Sequence, residues 1–118
     1  MRRMTLGRNG EERAARWLER RGWVVLARRW RCRLGELDIV ALDGETLVFV
    51  EVKTRSSARF GAPEEAVGYA KRARIVRSAF AYMRFKKSGE RPARFDVIAL
   101  LNGEIRHIPG AFTADGAC

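Results

Sequence analysis

Apolar and polar positions along this chain follow two rhythms. From about Gly10 to Arg21 the spacing is helical, with Ala14, Ala15 and Leu18 on one side and Glu12, Arg16 and Glu19 on the other. Asn9 stands where it can cap this helix with Glu12 as its third residue, and Gly22 ends it. Trp23–Arg29 reads as a strand and Trp30–Leu34 as a basic loop. Two further runs, Glu36–Leu42 and Thr46–Lys53, are rich in Val, Ile, Leu and Phe and read as strands. Thr54–Ala62 is polar and leads to Pro63, which suits the first turn of a long helix. On that helix Tyr69, Ala73, Val76, Phe80 and Met83 form a stripe for packing on a sheet. Arg94–Leu101 reads as a strand, and Asn102-Gly103 is a type I′ hairpin signal before Glu104–Ile108. The order α-β-β-β-α-β-β predicts one α/β domain spanning the chain, a central mixed sheet flanked by helices.

Charges interrupt the two central strands. Asp43-Gly44 between them is a strong two-residue hairpin signal. With those two residues as the loop, Leu42 pairs with Glu45, Asp38 with Phe49 and Glu36 with Glu51. Alternation then puts Glu36, Asp38, Glu51 and Lys53 on one face, and Leu37, Ile39, Val48, Val50 and Val52 on the other. Asp38 and Glu51 become diagonal neighbours, about 7–8 Å apart at Cα, close enough for their carboxylates to converge. A three-residue loop would shift the register by one and scatter the set.

Charge among buried apolar residues is costly unless it is paired or holds a metal. Oxygen ligands suit a hard divalent cation, Mg²⁺ or Mn²⁺, and a lysine beside it is a further electrostatic partner for a phosphate. The bland alternative is a salt-bridged strand face, with Glu51 paired to Lys53 or Arg55. Glu11 shares its side of the first helix with Ala14, Ala15 and Leu18, so it points toward the core. A plain preference for acids near a helix N-terminus also accounts for it. Asp96 alternates with Arg94 on one face, which reads as a strand-end ion pair. His107 is the only histidine, so Ser-His-Asp or Cys-His catalysis has little support, and a sheet or surface role fits it.

Asp38 followed by Glu51-Val52-Lys53 resembles the PD-(D/E)XK pattern of restriction-endonuclease-like nucleases. The Asp-to-Glu interval is similar to that of archaeal Holliday-junction resolvases. Leu37 stands where the superfamily signature has proline, a position at which proline is often missing. The whole chain resembles the YraN-like family of small bacterial proteins. The resemblance is carried by Gly10-Glu11, Ala14-Ala15, GELDIVA, LVFVEVKTR, Phe60-Gly61, Lys71, RFDVIAL and Ala111-Phe112. It implies a restriction-endonuclease-like fold and a metal-dependent endonuclease acting on DNA, with branched or recombining DNA among the candidate substrates. A non-catalytic nucleic-acid-binding protein of the same fold is the alternative. On this resemblance Asp38, Glu51 and Lys53 are the catalytic candidates. Asp38, Glu51, Glu36 and Glu11 are the metal candidates, and Glu11 and Lys71 match family positions.

Composition points to a polyanionic partner. The formal net charge is +10, from 24 Lys+Arg against 14 Asp+Glu, and twenty of those cations are arginine. Guanidinium suits phosphate better than an ammonium does, so nucleic acid is the first expected partner, and the resemblance implies DNA. Arg55, Lys71, Arg72 and Arg74 are the candidates for phosphate contacts, with Lys71 and Arg74 opposite the apolar stripe and Arg72, Arg77 and Arg84 flanking it. No segment approaches the roughly 18 apolar residues of a membrane span. MRRMTLGRNG has the charge of a signal peptide without an apolar stretch after it. Cys32 and Cys118 match neither zinc spacing nor a disulfide framework, so a reducing cytoplasm is expected. A homodimer is open. No P-loop, repeat or low-complexity segment occurs.

Overall fold

Five strands form a mixed sheet in the order β1-β2-β3-β4-β5, with one helix on each face. In chain order the elements are α1 (Leu6–Arg20), β1 (Val24–Cys32), β2 (Gly35–Asp43), β3 (Thr46–Arg55), α2 (Tyr69–Phe85), β4 (Ala93–Leu101) and β5 (Glu104–Phe112). The structure is a computed structural model that describes residues 6–55 and 68–114, with side chains from Gly10 onward. Most of the polar segment expected over Thr54–Ala62 and the helix start at Pro63 lie outside the described residues. Only β3 and β4 are parallel, because α2 carries the chain from one to the other. This is the α/β architecture that the apolar pattern predicts, and it is consistent with a restriction-endonuclease-like core.

Each sheet face buries its own cluster. Against α1 lie Ile39, Ala41, Val48, Val50, Ile98 and Leu100, packed on Ala14, Ala15 and Leu18. Against α2 lie Leu37, Val40, Leu47, Phe49, Phe95 and Val97, packed on Ile75, Val76, Ala79 and Tyr82. The packed face of α2 is therefore rotated from the expected stripe. Tyr69 and Phe80 stay 61% and 54% exposed, and Ile75 and Tyr82 take the core positions. A four-three repeat tolerates a stripe on either side of Val76, and the sheet selects one.

α1 starts at Leu6, so Asn9 lies inside the helix rather than capping it. Glu12, freed from a capping role, pairs instead with Arg16 at 2.8 Å. The other end follows expectation. Gly22 at φ +92 lets Trp23 N–H donate to the Leu18 carbonyl and Gly22 N–H to that of Glu19. β1 runs on through Cys32, so most of the expected basic loop is strand, and the turn is only Arg33-Leu34. β5 likewise continues to Phe112, past the expected end at Ile108.

The β2–β3 register differs from the expected one by two residues. Asp43 pairs with Thr46 and Leu42 with Leu47, so the loop is Gly44-Glu45. Gly44 sits at φ +63 while Glu45 keeps an ordinary φ, which places the glycine first in the turn. Asp43 is kept in the strand, where Arg94 reaches it at 3.4 Å. A slip of two preserves side-chain alternation, so the expected face of Asp38, Glu51 and Lys53 survives it.

Asp96 is fully buried in β4, opposite an irregularity in β5. Its oxygens accept from Arg94 at 2.9 and 3.0 Å and from Gly110 N–H at 2.9 Å, and His107 Nε2 lies 2.8 Å away. The expected Arg94 ion pair is thus present, inside a larger network. His107 packs edge-on between Trp17 and Trp23. Burial alone would raise the Asp96 pKa, but these donors outweigh it and hold the group below the usual carboxylate range. A depressed carboxylate stabilises the fold above its unfolded pKa, and that stability is lost as pH falls through the folded value. Asp96→Ala is expected to cost about 3 kcal/mol in urea denaturation at neutral pH. The stability of the variant should also fall less steeply than the parent's below about pH 4.

Candidate metal and phosphate site

The acidic face becomes a cluster because the β2–β3 ladder stops at Ile39 and Val50. One step further Asp38 and Glu51 come level, and the Val52 N–H donates to Asp38 Oδ2 at 2.9 Å. A side chain thus accepts where a strand would offer a carbonyl. On the other flank Arg29, between pairs Arg28–Ile39 and Trp30–Leu37, adopts φ +53. That conformation is strained for a residue with a side chain. It also marks a change of faces: Ile39 packs toward α1, yet Leu37, two residues away, packs toward α2 with Trp30. Leu37 therefore does not join Ile39, Val48, Val50 and Val52 as simple alternation predicts.

Four carboxylates meet at this break. Oxygens of Glu11, Glu36 and Asp38 lie within 4.8 Å of one another. Glu11 is 8% exposed and Glu51 5%. α1 delivers Glu11 because Gly10 lies almost on the sheet: a Cβ there would be 2.7 Å from Thr54 Oγ1 and 2.9 Å from Leu100 Cδ1. Arg29 reaches Glu11 at 3.1 Å and Glu36 at 3.9 Å, and Arg31 reaches Glu36 at 3.5 Å. Glu51 Oε2 is held by Lys71 at 2.6 Å and Lys53 at 3.4 Å.

Asp38 has no cation of its own in this set. Burial first, then the charge of Glu51, pushes its pKa up to about 8, against the pull of the Val52 N–H. Burial and the adjacent Lys71 push Lys53 below the ordinary lysine range despite Glu51. Burial would also lower Lys71, but its contact with Glu51 outweighs that and raises it.

The structure thus brings Glu11, Glu36, Asp38, Glu51, Lys53 and Lys71 together. Lys71, expected on the outer face of its helix, instead turns into the site. Arg55 donates to the Thr54 carbonyl at 3.3 Å. Arg72 lies over the Phe112 ring at 5.4 Å, and Arg74 is exposed. Arg29 is the site residue that sequence reasoning missed. Nothing in a strand pattern announces a positive φ, and one arginine among twenty carries no signal.

The fold and this cluster define an α/β protein with a restriction-endonuclease-like architecture and an acid-and-lysine site where its sheet ladder breaks. The chain belongs to the Uncharacterised protein family UPF0102, the YraN family, whose pattern matches residues 10–100. It is 46% identical over 118 residues to a UPF0102 protein of Anaeromyxobacter dehalogenans, covering 97% of this chain and 88% of the relative. A UPF0102 protein of Myxococcus xanthus is 46% identical over 116 residues, covering 95% and 92%. One from an Arthrobacter species is 53% identical over 97 residues, covering 82% of each. No helix among the described residues is long and apolar enough to cross a membrane.

A raised carboxyl pKa costs the fold nothing below the unfolded value and an increasing amount as pH rises toward the folded one. Asp38→Asn removes that cost. In EDTA the variant should melt with the parent near pH 4 and about 4 °C or more above it at pH 8 and beyond. Equal melting temperatures across that range would show that Asp38 is not under electrostatic strain.

Proposed function

We propose that this protein is a Mg²⁺- or Mn²⁺-dependent endonuclease that hydrolyses phosphodiester bonds in DNA. The observation that carries the reading is Asp38, a partly buried carboxylate beside Glu51 with no ion pair among the described residues, in a protein of net charge +10. The donor set fits a hard divalent ion, since every candidate ligand is a carboxylate oxygen. Asp38 and Glu51 would hold it, with Glu36 and Glu11 beside them. When bound, such an ion activates water and offsets charge on the scissile phosphate. Lys53 and Lys71 present ammonium groups at the same place, one from the sheet and one from a helix. Both can bond the phosphate oxygens that gain charge in the transition state. Partial burial strengthens those bonds by excluding water.

One observation favours a second reading, a nucleic-acid-binding protein without turnover. Arg29 and Arg31 already pair with Glu11 and Glu36, and two lysines already pair with Glu51. A site satisfied by its own cations needs no ion.

Labelled single-strand, duplex, flap and four-way-junction DNA, incubated with Mg²⁺, Mn²⁺ or EDTA, separates the two readings. Metal-dependent cleavage is expected, and binding of the panel without cutting would leave the second reading standing. Lys53→Ala should keep most of its DNA affinity and cleave about 10²–10³ slower. Normal cleavage by that variant would return Lys53 to a salt-bridge role. In calorimetry Asp38→Ala and Glu51→Ala should each weaken Mn²⁺ binding, and the metal assignment fails if Glu51→Ala binds as the parent does.

A further inference from the structure

The arginines of this surface divide into engaged and unengaged. Arg16, Arg29 and Arg94 are held by carboxylates, and Arg13 by the Gly103 carbonyl. Arg33, Arg74 and Arg77 are among the exposed arginines that have no acid partner among the described residues. Arg31 is 69% exposed and pairs with Glu36 at 3.5 Å.

These four come from two elements that are locked together. Arg33-Leu34 is the turn between β1 and β2, and Gly35 behind it sits against α2. A Cβ on Gly35 would be 3.0 Å from Ser78 Oγ and 3.9 Å from the Arg74 Cβ, and Gly35 also holds φ +154. Only glycine lets the turn approach this closely. The Arg33 turn is thereby fixed beside Arg74, and Arg77 is the next neighbour on the same helix surface. The row begins at the carboxylate cluster, since Lys71 touches Glu51 and Arg31 touches Glu36. From Lys71, Arg74 and Arg77 lie about 5 and 9 Å along the helix axis. Leu34, at the tip of the turn, is 43% exposed.

We propose that Arg33, Arg74 and Arg77, with Arg31 at their margin, form a rail for the phosphate backbone of duplex DNA beside the bond presented to the carboxylates, with Leu34 against its sugars. The inference rests on the nuclease reading for the identity of the duplex, and the rail itself on the placement of the four arginines. Planar guanidinium groups fit phosphate oxygens in pairs. A row of guanidinium groups that leads to a carboxylate cluster suits a linear polyanion with a bond to present there, rather than a lipid surface. An anionic membrane is therefore the poorer occupant.

The test compares two triple variants of equal charge, both at exposed positions. One is Arg33→Gln/Arg74→Gln/Arg77→Gln. The other is Lys86→Gln/Lys87→Gln/Arg91→Gln, beyond the far end of α2. Binding of a labelled linear duplex is followed by anisotropy in EDTA over a range of salt, after thermal melts establish that both variants fold. The rail variant should lose about 2–3 from the slope of log K against log[salt], at about 0.9 for each phosphate contact, and the control less than 1. Leu34→Ala should weaken binding without changing the slope. Equal slope losses in the two triple variants would overturn the rail. So would unchanged DNA binding by the rail variant with loss of binding to phosphatidylserine vesicles. Because cleavage is not needed, a parent that binds but never cuts sinks the endonuclease reading and leaves the rail. A parent that cuts, with a rail variant of unchanged salt slope, sinks the rail alone.

Discussion

Two carboxylates, Asp38 and Glu51, stand side by side in the middle of an apolar sheet, and the surrounding structure is arranged around that repulsion. The Val52 N–H turns to Asp38 instead of continuing the ladder. Lys53 comes from the same strand as Glu51, Lys71 from the helix on one sheet face, and Arg29 from the neighbouring strand. Glu11 adds a further acid from the helix on the other face, made possible by the missing side chain of Gly10. Uncompensated charge in a protein interior costs several kcal/mol, so this convergence of cations stabilises the fold. Asp38 is left with a pKa pushed up to about 8 by burial and by Glu51.

Asp96 shows what a structural buried acid looks like in the same sheet. It is less exposed than Asp38, yet its pKa falls, because Arg94, His107 and a backbone N–H donate to its two oxygens. Burial is common to both residues and distinguishes nothing. The difference lies in donors: Asp96 has a full set, whereas Asp38 has one N–H and a like charge beside it. A group left under strain in a fold that satisfies its neighbour is a candidate for a ligand's charge.

The sequence was legible where a physical rule has few solutions. Alternating apolar strands, Gly22 after a helix and Asn102-Gly103 in a hairpin each admit one local structure, and the architecture follows from their order. The acidic face was legible too, because any two-residue loop gives the register a parity that keeps Asp38, Glu51 and Lys53 together. Which two residues form the loop was not, since Asp43-Gly44 and Gly44-Glu45 both put glycine at a position with φ above zero. Asn9 has the chemistry of a cap, but a cap requires the helix to start beside it, and the chain continues helical back to Leu6. The orientation of α2 was hidden for a related reason. Lys71 turns inward because Glu51 is there to receive it, a contact 20 residues away that no local periodicity encodes.

The reach of the site into both layers depends on one departure from strand regularity. In an unbroken strand Leu37 and Ile39 would face the same helix, and acids placed between them could meet partners from one layer only. The positive φ of Arg29 and the side-chain acceptor at Asp38 interrupt that alternation at the same point, opposite each other on adjacent strands. Side chains above and below the sheet then converge at its broken edge. Glu11 arrives from the α1 layer and Lys71 from the α2 layer, which a flat sheet would hold about 10 Å or more from each other across its thickness. The strained arginine donates to Glu11 and forms a longer ion pair with Glu36. The distortion that opens the site thus also provides charge that keeps it stable when no other cation is bound.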